Sequence, residues 1–309
     1  MLRVAALAVT VFGVLMVAPA HSAAPAPLRF AAAADCLTNP NCGPGLKRVY
    51  HVDITSVFVP LSVADGGIGA LDDGVADVAV AFSSNPEVSR PDVVTLVDDR
   101  GMGGPDPIVP VLRAKTLRAY SVSDRRLIQR RLNAASAVLT TRALRQLNQQ
   151  TGDGRLPEAV GGEFIDANGL GEIGKKRHGP RIVIGFQDFT ENETLAYMYA
   201  AALESAGFRV KVKPIHGFRP ESVKAMRRGR ISMWPGYAGS LLAYLTGKWP
   251  DKRAPLAKRL ARAAKKFGGR TAKFARGEDR NLIVTKTDTA ARLGLKTLSD
   301  AAKLWPPAP

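Results

Sequence analysis

The chain has 309 residues, enough for two lobes with cores of their own, and its 46% hydrophobic content is typical of a globular protein. Its formal net charge of +17 favours contact with an anionic surface, such as lipid headgroups, a wall polymer or nucleic acid, or else a surface that is simply well solvated. Beyond the amino terminus no segment is apolar enough to span a bilayer, which excludes a polytopic membrane protein.

Residues 1–24 have the pattern of an export signal. Arg3 precedes the apolar run Val4–Val17, and the small residues of Ala18–Ser22 supply a cleavage site. The alternative is an amino-terminal anchor that stays attached, although the run is short for a membrane span. We therefore expect an exported protein of the periplasm or the extracytoplasmic cell envelope.

The chain has two cysteines, Cys36 and Cys42. In an exported protein this close spacing predicts a disulfide that closes a short loop. A metal site is the alternative, but the four histidines are too few and too scattered to complete a ligand set. We expect no metal ion and no cofactor.

Short apolar runs and helical segments alternate through the first third of the chain, as in an α/β domain. Strands are predicted at Leu28–Ala31, Val57–Leu61, Val75–Phe82, Asp92–Val97 and Ile108–Leu112, with a helix at Leu46–Tyr50. Residues 116–170 have the pattern of helices with polar outer faces. Gly171–Pro180 is polar, basic and glycine-containing, which predicts a linker.

The segment Arg181–Ser240 predicts three strands separated by two helices. Thr190 stands three residues before Glu193, the spacing of a capping box at the start of the first helix. Because a crossover helix returns the chain parallel, we expect a parallel sheet with ligands bound beyond the carboxyl ends of its strands. Those ends are Gln187–Asn192 and Pro235–Ser240.

These residues also carry a resemblance to a known family. The run IVIGFQDFTEN…LAYMYAAALESAGFRV…ISMWPGYAGSLL resembles the start of the substrate-binding proteins of ABC importers for osmoprotectants. That family binds glycine betaine, choline, carnitine and related quaternary amines. The resemblance implies a two-lobed α/β fold of the type II periplasmic-binding-protein kind, with permease and ATPase subunits as partners.

The order of the family's parts is inverted in this chain. Residues 28–112 resemble the family's second lobe, 116–170 its closing helices, which pack on the first lobe, and 181–305 its first lobe, after a linker at 171–180. This order predicts a circular permutation, which is physically cheap because domain termini often lie close together. It also predicts a single lobe crossing, near Pro110–Lys115. The alternative is a fusion of two half-proteins that do not re-form a family-like pair.

Aromatic residues near the strand ends are the candidate ligand contacts. A quaternary ammonium has no N–H group to donate, so it is held by aromatic faces, each worth ~0.5–2 kcal/mol. Tyr237 matches the tyrosine of the family's P-E-Y turn, although Gly236 replaces the glutamate. Trp234, one strand step earlier, could add a second face. The alternatives are a packed turn tyrosine whose hydroxyl is satisfied and a core tryptophan.

Polar candidates come from both halves of the chain. Gln187, Thr190 and Asn192 lie at a helix amino terminus, which favours the anionic end of a ligand. Ser84 and Asn85 match the family's strand end, and Asp106 falls where the family commonly has a cage tyrosine. Asp106 either pairs with a primary or secondary amine or is a solvated loop acid.

No nucleophile–base pair, metal set or phosphate-binding loop is visible, so we do not expect an enzyme. The sequence favours an exported solute-binding protein of an ABC importer that binds a small osmoprotectant or quaternary-amine-like solute between its lobes. The alternative is a repurposed member that uses its basic surface to bind membrane or cell-wall polymer. Nucleic acid is not an expected partner.

Overall fold

The computed structural model describes residues 27–62, 66–250 and 253–309, which form two five-stranded sheets flanked by helices. The strands are β1 (Phe30–Ala33), β2 (Phe58–Leu61), β3 (Val78–Phe82), β4 (Val93–Thr95), β5 (Ile108–Arg113), β6 (Ile182–Phe186), β7 (Val210–Pro214), β8 (Met233–Tyr237), β9 (Gly269–Thr271) and β10 (Asn281–Lys286). The helices are α1 (Gly43–Tyr50), α2 (Gly66–Asp72), α3 (Ala114–Arg118), α4 (Val122–Val138), α5 (Thr141–Gly152), α6 (Pro157–Ala167), α7 (Thr190–Glu204), α8 (Arg219–Arg227), α9 (Ala238–Thr246), α10 (Arg253–Lys265), α11 (Thr287–Leu293) and α12 (Leu298–Ala302). The predicted export signal lies outside the described residues. Within the described ranges, none of the helices combines the length and apolarity needed to cross a membrane.

One sheet, in what we call the amino lobe, has the strand order β2-β1-β3-β10-β4. β1 pairs in parallel with β2 and β3, whereas β10 runs antiparallel to β3 and β4. Residues 28–97 and 281–305 therefore share this lobe, and Trp305 packs in the same core as Phe30. Residues 281–305 were expected to share a lobe with residues 181–280. They lie in the amino lobe instead, because β10 pairs through backbone hydrogen bonds with β3 and β4.

The other sheet, in what we call the central lobe, has the order β7-β6-β8-β5-β9. β6 pairs in parallel with β7 and β8, as expected for two β-α-β units. β5 runs antiparallel to β8, with Ile108 opposite Tyr237. Residues 108–112, expected in the lobe of residues 28–112, therefore belong to the central lobe. Helices α4, α5 and α6 cover α7 through a shared apolar core.

Two crossing segments, residues 98–107 and 272–280, join the lobes, in place of the single crossing that we expected. They pair with each other: Asp279 N donates to Asp106 O at 3.1 Å, and Ile108 N donates to Gly277 O at 3.2 Å. Leu28 N donates to Leu304 O, so the two ends of the described chain meet inside the amino lobe and not at a crossing. The two crossings therefore run side by side as a hinge between the lobes, and the chain ends interrupt neither of them.

The predicted linker Gly171–Pro180 lies along the central lobe without helix or strand. Gly174 N donates to Ser205 O at 2.6 Å and Arg177 N donates to Gly207 O at 2.8 Å. Tyr120 donates its hydroxyl hydrogen to the carbonyl of Pro180. These bonds make the segment a fixed cover of the lobe and not a free tether.

The predicted disulfide between Cys36 and Cys42 is confirmed. Both cysteines are buried in the amino-lobe core, directly after β1. Their loop borders a hollow of about 70 Å³ at the carboxyl ends of β1 and β2, which also contains Phe82 and Asn281. The disulfide thus fixes the loop that lines this hollow.

Trp305 attaches the end of the described chain to β1, and its truncation should destabilise the amino lobe. Its ring lies 5.5 Å from that of Phe30, and its Nε1 donates to Leu28 O at 3.0 Å. We expect Trp305→Ala to lower the free energy of unfolding by about 3–5 kcal/mol, measured by urea denaturation. Leu156→Ala, at a side chain 72% exposed, should change it by less than about 0.5 kcal/mol. Equal effects of the two variants would contradict this packing role.

Candidate functional site

The candidate site lies where both lobes and both crossings meet. The carboxyl ends of β6 and β8 reach it from the central lobe, and that of β3 reaches it from the amino lobe. Asp106 accepts a hydrogen bond from Gly239, after β8, and Asp279 accepts one from Ser84, after β3. This is the edge of a parallel sheet at which α/β proteins bind their ligands.

Tyr237 begins a chain of hydrogen bonds that connects the lobes. Its hydroxyl donates to Glu191 Oε1 at 2.5 Å, and Glu191 Oε2 accepts a bond of 2.7 Å from Asn148 Nδ2. Asn148 also donates to Ser84 O, in the amino lobe, at 3.0 Å. Burial, reinforced by the negative charge of Glu191, raises the pKa of Tyr237 well above its ordinary value. The phenol is therefore kept protonated and able to donate.

Three aromatic rings form a row on the central-lobe side of the site. The ring of Phe189 lies 6.0 Å from that of Tyr237 and 6.4 Å from that of Phe218, with which it is stacked at 16°. Tyr237 is buried and Phe218 is 46% exposed, so the row leads from the interior to the surface. Such faces attract a cation through their π-electrons.

Gln187 and Asn192 join the ends of β6 and β8. Asn192, fully buried, accepts a bond of 2.9 Å from Gln187 N and donates one of 2.8 Å to Pro235 O. Gln187 Nε2 donates to Ser222 Oγ at 2.9 Å. These amides fix the shape of the loop, and direct ligand contact by either residue stays a prediction.

Thr190 is exposed as the first residue of α7, and the capping box expected with Glu193 is not formed. Phe189 takes the N-cap position instead, with an extended backbone, and no side chain caps the helix there. The first-turn amides thus lack a side-chain cap beside the aromatic row, where a helix terminus favours negative charge.

Asp106 is not the solvated loop acid considered above, since it is 4% exposed and caps α9. Its Oδ1 accepts bonds of 2.6 Å from Gly239 N and 3.0 Å from Ser240 N, and its Oδ2 accepts one from the Ser240 hydroxyl. Gly239 permits this approach because a Cβ there would collide with Pro105 O. Burial raises the pKa of Asp106 to about 6, although these hydrogen bonds and the charge of Arg219 oppose the rise.

Ser84 and Asn85 follow the end of β3, as the family pattern predicted, but their side chains make different contacts. Ser84 Oγ donates to Asp279 Oδ1 at 2.7 Å, whereas Asn85 caps a short 3₁₀ turn by accepting from Glu87 N. Burial and the charge of Glu191 raise the pKa of Asp279 well above its ordinary value. The crossing of residues 272–280 thus carries an acidic side chain, Asp279, that lies close enough to Glu191 for their charges to interact.

Trp234 points away from the site. It is 1% exposed and packs beside Phe267 in the core on the opposite face of the central sheet, 6.1 Å between ring centres. Successive side chains of a strand alternate between faces, and Tyr237 lies three positions further along. Of the two interpretations offered for Trp234, the structure therefore corresponds to the core tryptophan.

Arg219 brings a cation to the same cleft. Burial lowers its pKa, while the negative charges of Asp106 and Asp35 oppose that change. Asp35 belongs to the amino lobe and Asp106 to a crossing, so Arg219 lies within electrostatic range of acidic groups from both parts of the molecule. Within the described part of the chain, no carboxylate comes within 4 Å of it to form an ion pair.

Sequence reasoning missed Glu191, Asp279, Arg219, Phe189 and Phe218. Glu191 and Phe189 stand within the F-T-E turn that carried the resemblance, so a signal for them was present. Asp279 and Arg219 gave no signal, because their position in the cleft depends on the second crossing and on the docking of α8.

The two lobes with a sheet each, the two crossing segments and the cleft define a solute-binding protein of the type II periplasmic class. Residues 23–167 and 180–306 match the family described as the substrate-binding domain of the ABC-type glycine betaine transport system. The chain belongs to this family. The matched stretches are separated by residues 168–179, which overlap the predicted linker, and the permuted order of the lobes stays a prediction.

Solved structures similar to this chain are also binding proteins. An ancestral arginine-binding protein with bound arginine is 12% identical over 90% of this chain and 89% of its own, with a TM-score of 0.41. A phosphate-binding protein from Streptococcus pneumoniae is 8% identical over 90% and 95%, with a TM-score of 0.45. NikA from Brucella suis, solved with Fe(III)-EDTA, is 13% identical over 74% of this chain, with a TM-score of 0.40, and the chain spans only 57% of its length. No curated protein matches the sequence.

Asp106 should make stability fall as the pH rises. Because the raised pKa favours the protonated form in the folded state, its contribution is complete below a pH of about 4 and is lost as the pH passes about 6. We expect Asp106→Asn to remove about 2–3 kcal/mol from the change in unfolding free energy between those pH values, measured by urea denaturation. Asp73→Asn, at an exposed turn residue, is the control. An unchanged pH dependence in Asp106→Asn would refute this assignment.

Proposed function

We propose that this protein is the extracytoplasmic solute-binding component of an ABC importer and captures a small osmoprotectant with a quaternary ammonium group between its lobes. The observation that carries the proposal is the row of Tyr237, Phe189 and Phe218 beside the carboxyl groups of Glu191 and Asp279. Membership of the glycine betaine family supports the same ligand class. Permease and ATPase subunits would receive the solute.

The aromatic and acidic groups divide the work of binding a cation that has no N–H. Each ring contributes ~0.5–2 kcal/mol, and more where water is excluded, as at Tyr237. The carboxylates supply the compensating charge without needing a hydrogen bond from the ligand. Burial favours the protonated form of Asp279. A bound cation would oppose this effect, because an opposite charge favours the ionised form.

Arg219 makes a zwitterion the favoured ligand. A betaine carries a carboxylate close to its ammonium group, and a guanidinium binds a carboxylate with two parallel hydrogen bonds. Arg219 lies near enough to Asp106 and Asp35 for their charges to act on it, and it has no ion pair to a described residue. Choline, which has no carboxylate, would leave this guanidinium without a partner.

The alternative is a protein that has given up transport and binds anionic polymer through its basic surface. The convergence of acids and aromatic rings on the cleft favours the transport function, because a surface-binding protein has no use for a cleft lined in this way. Solute binding therefore remains the first function to test.

Isothermal titration with glycine betaine, carnitine, choline and glycine tests the proposal directly. We expect glycine betaine to bind, with choline and glycine weaker because each lacks one of the two recognised groups. Tyr237→Ala should weaken binding by about tenfold or more, which is about 1.4 kcal/mol. Arg219→Gln should weaken glycine betaine selectively and leave choline unchanged.

Tyr197→Ala is the matched control, because it truncates a half-buried tyrosine on α7 that takes no part in the aromatic row. Binding of none of these solutes by the folded protein would refute the proposal. Binding of choline as tightly as glycine betaine, with no effect of Arg219→Gln, would refute the zwitterion part alone.

A further inference from the structure

A groove on the central lobe is lined by cations. Its volume is about 530 Å³, and its charged lining residues are Arg113, Lys115, Arg118, Arg227, Lys265 and Arg270. A second hollow of about 210 Å³ shares Arg118 and Arg270 with the groove and adds Arg125 and Arg126. Among the described residues, neither lining contains an acid. The two hollows therefore adjoin each other along β9, the edge strand of the central sheet, and we call them together the cationic channel.

These cations have no carboxylate partners within the described ranges. The amino lobe is different: Arg90 and Lys286 share the carboxylates of Asp72 and Asp92, and Arg29 pairs with Asp77. Like charges that crowd one concave surface repel one another and raise the local concentration of anions. These cations of the amino lobe are thus compensated, whereas those of the channel are left available to an anionic partner.

The guanidinium of Arg113 is fixed by contacts with α8 and the turn that follows it. Its Nε donates to Met226 O at 3.0 Å, and its guanidinium lies against Gly229, where a Cβ would come within 3.0 Å of Cζ. Its two terminal nitrogens have no hydrogen bond to any described residue. A fixed guanidinium with free terminal N–H groups is suited to bind phosphate oxygens.

The channel lies at the end of the central sheet opposite the cleft. β5 and β8 are antiparallel, with Ile108 opposite Tyr237 and Leu112 opposite Met233. Arg113, which ends β5, is therefore about 17 Å along the strand from the level of Tyr237. A ligand in this channel would not compete with a solute in the cleft.

We propose that this channel binds a linear polymer that carries phosphate groups along its backbone. Two connected hollows with cations in both suit a chain better than a single anion. The one aromatic ring in the linings, Phe267, is 5% exposed, so there is no platform on which nucleic acid bases stack. The linings also present only Val122 as a well-exposed apolar side chain, which is too little for insertion into a membrane interface.

Binding of linear inorganic polyphosphate, measured by titration of the full chain, tests this proposal. We expect binding that weakens on the order of 10²–10³-fold between about 50 and about 200 mM salt, because phosphate contacts release counterions. Arg118→Gln/Arg270→Gln removes the two residues shared by both hollows and should weaken binding by about tenfold or more. Triphosphate, which is too short to occupy both hollows, should bind more weakly than the polymer.

Arg292→Gln/Lys296→Gln is the control, since it removes the same charge from exposed positions of the amino lobe. The control should bind polyphosphate like the unaltered chain, and unchanged thermal unfolding midpoints would show that both variants are folded. Equal losses in the two variants would overturn the channel in favour of a nonspecific charge effect. Binding to vesicles that contain phosphatidylglycerol, without binding to polyphosphate, would overturn it in favour of a membrane surface.

Discussion

The pairing of the two crossing segments is the constraint on which the rest of this structure depends. The hydrogen bonds from Asp279 N to Asp106 O and from Ile108 N to Gly277 O join two stretches separated by about half of the chain's length. They carry β5 into the central sheet and β10 into the amino sheet, where each strand runs antiparallel to its neighbours. Without this pairing, both sheets would lose an inner strand.

The same pairing determines the chemistry of the cleft. It brings Asp106, which is 4% exposed, and the half-buried Asp279 into one region, and burial favours the protonated form of each carboxyl group. Asp106 is compensated by the amides of α9, whereas the carboxyl group of Asp279 is hydrogen-bonded, among the described residues, by Ser84 alone and lies near the charge of Glu191. An incoming cation would supply the charge that the cleft lacks, which is why the acids and the aromatic row are best understood together.

Local patterns in the sequence predicted the fold well, because they depend on neighbours in the chain. The three strands expected within Arg181–Ser240, the parallel pairing of β6 with β7, and the disulfide all followed from short patterns. The lobe boundaries could not be predicted in this way, because the apolar pattern of a strand does not show which of the two sheets the strand joins. For the same reason the sequence located Tyr237 but could not distinguish Trp234 as a core residue or recognise Asp279 as part of the site.

The antiparallel pair β5–β8 separates two opposite electrostatic surroundings within one lobe. At one end, Tyr237 meets Glu191 and the acids of the hinge; at the other, Arg113 meets a channel of cations without acidic partners in its lining. The two ends lie about 17 Å apart, about twice the Debye length of about 8 Å at physiological ionic strength, so salt largely screens the exposed charges of the channel from the cleft. The high net charge of the chain therefore would not oppose the proposed capture of a cationic group in the cleft. The cations of the channel are instead placed to bind the anionic partner proposed for it.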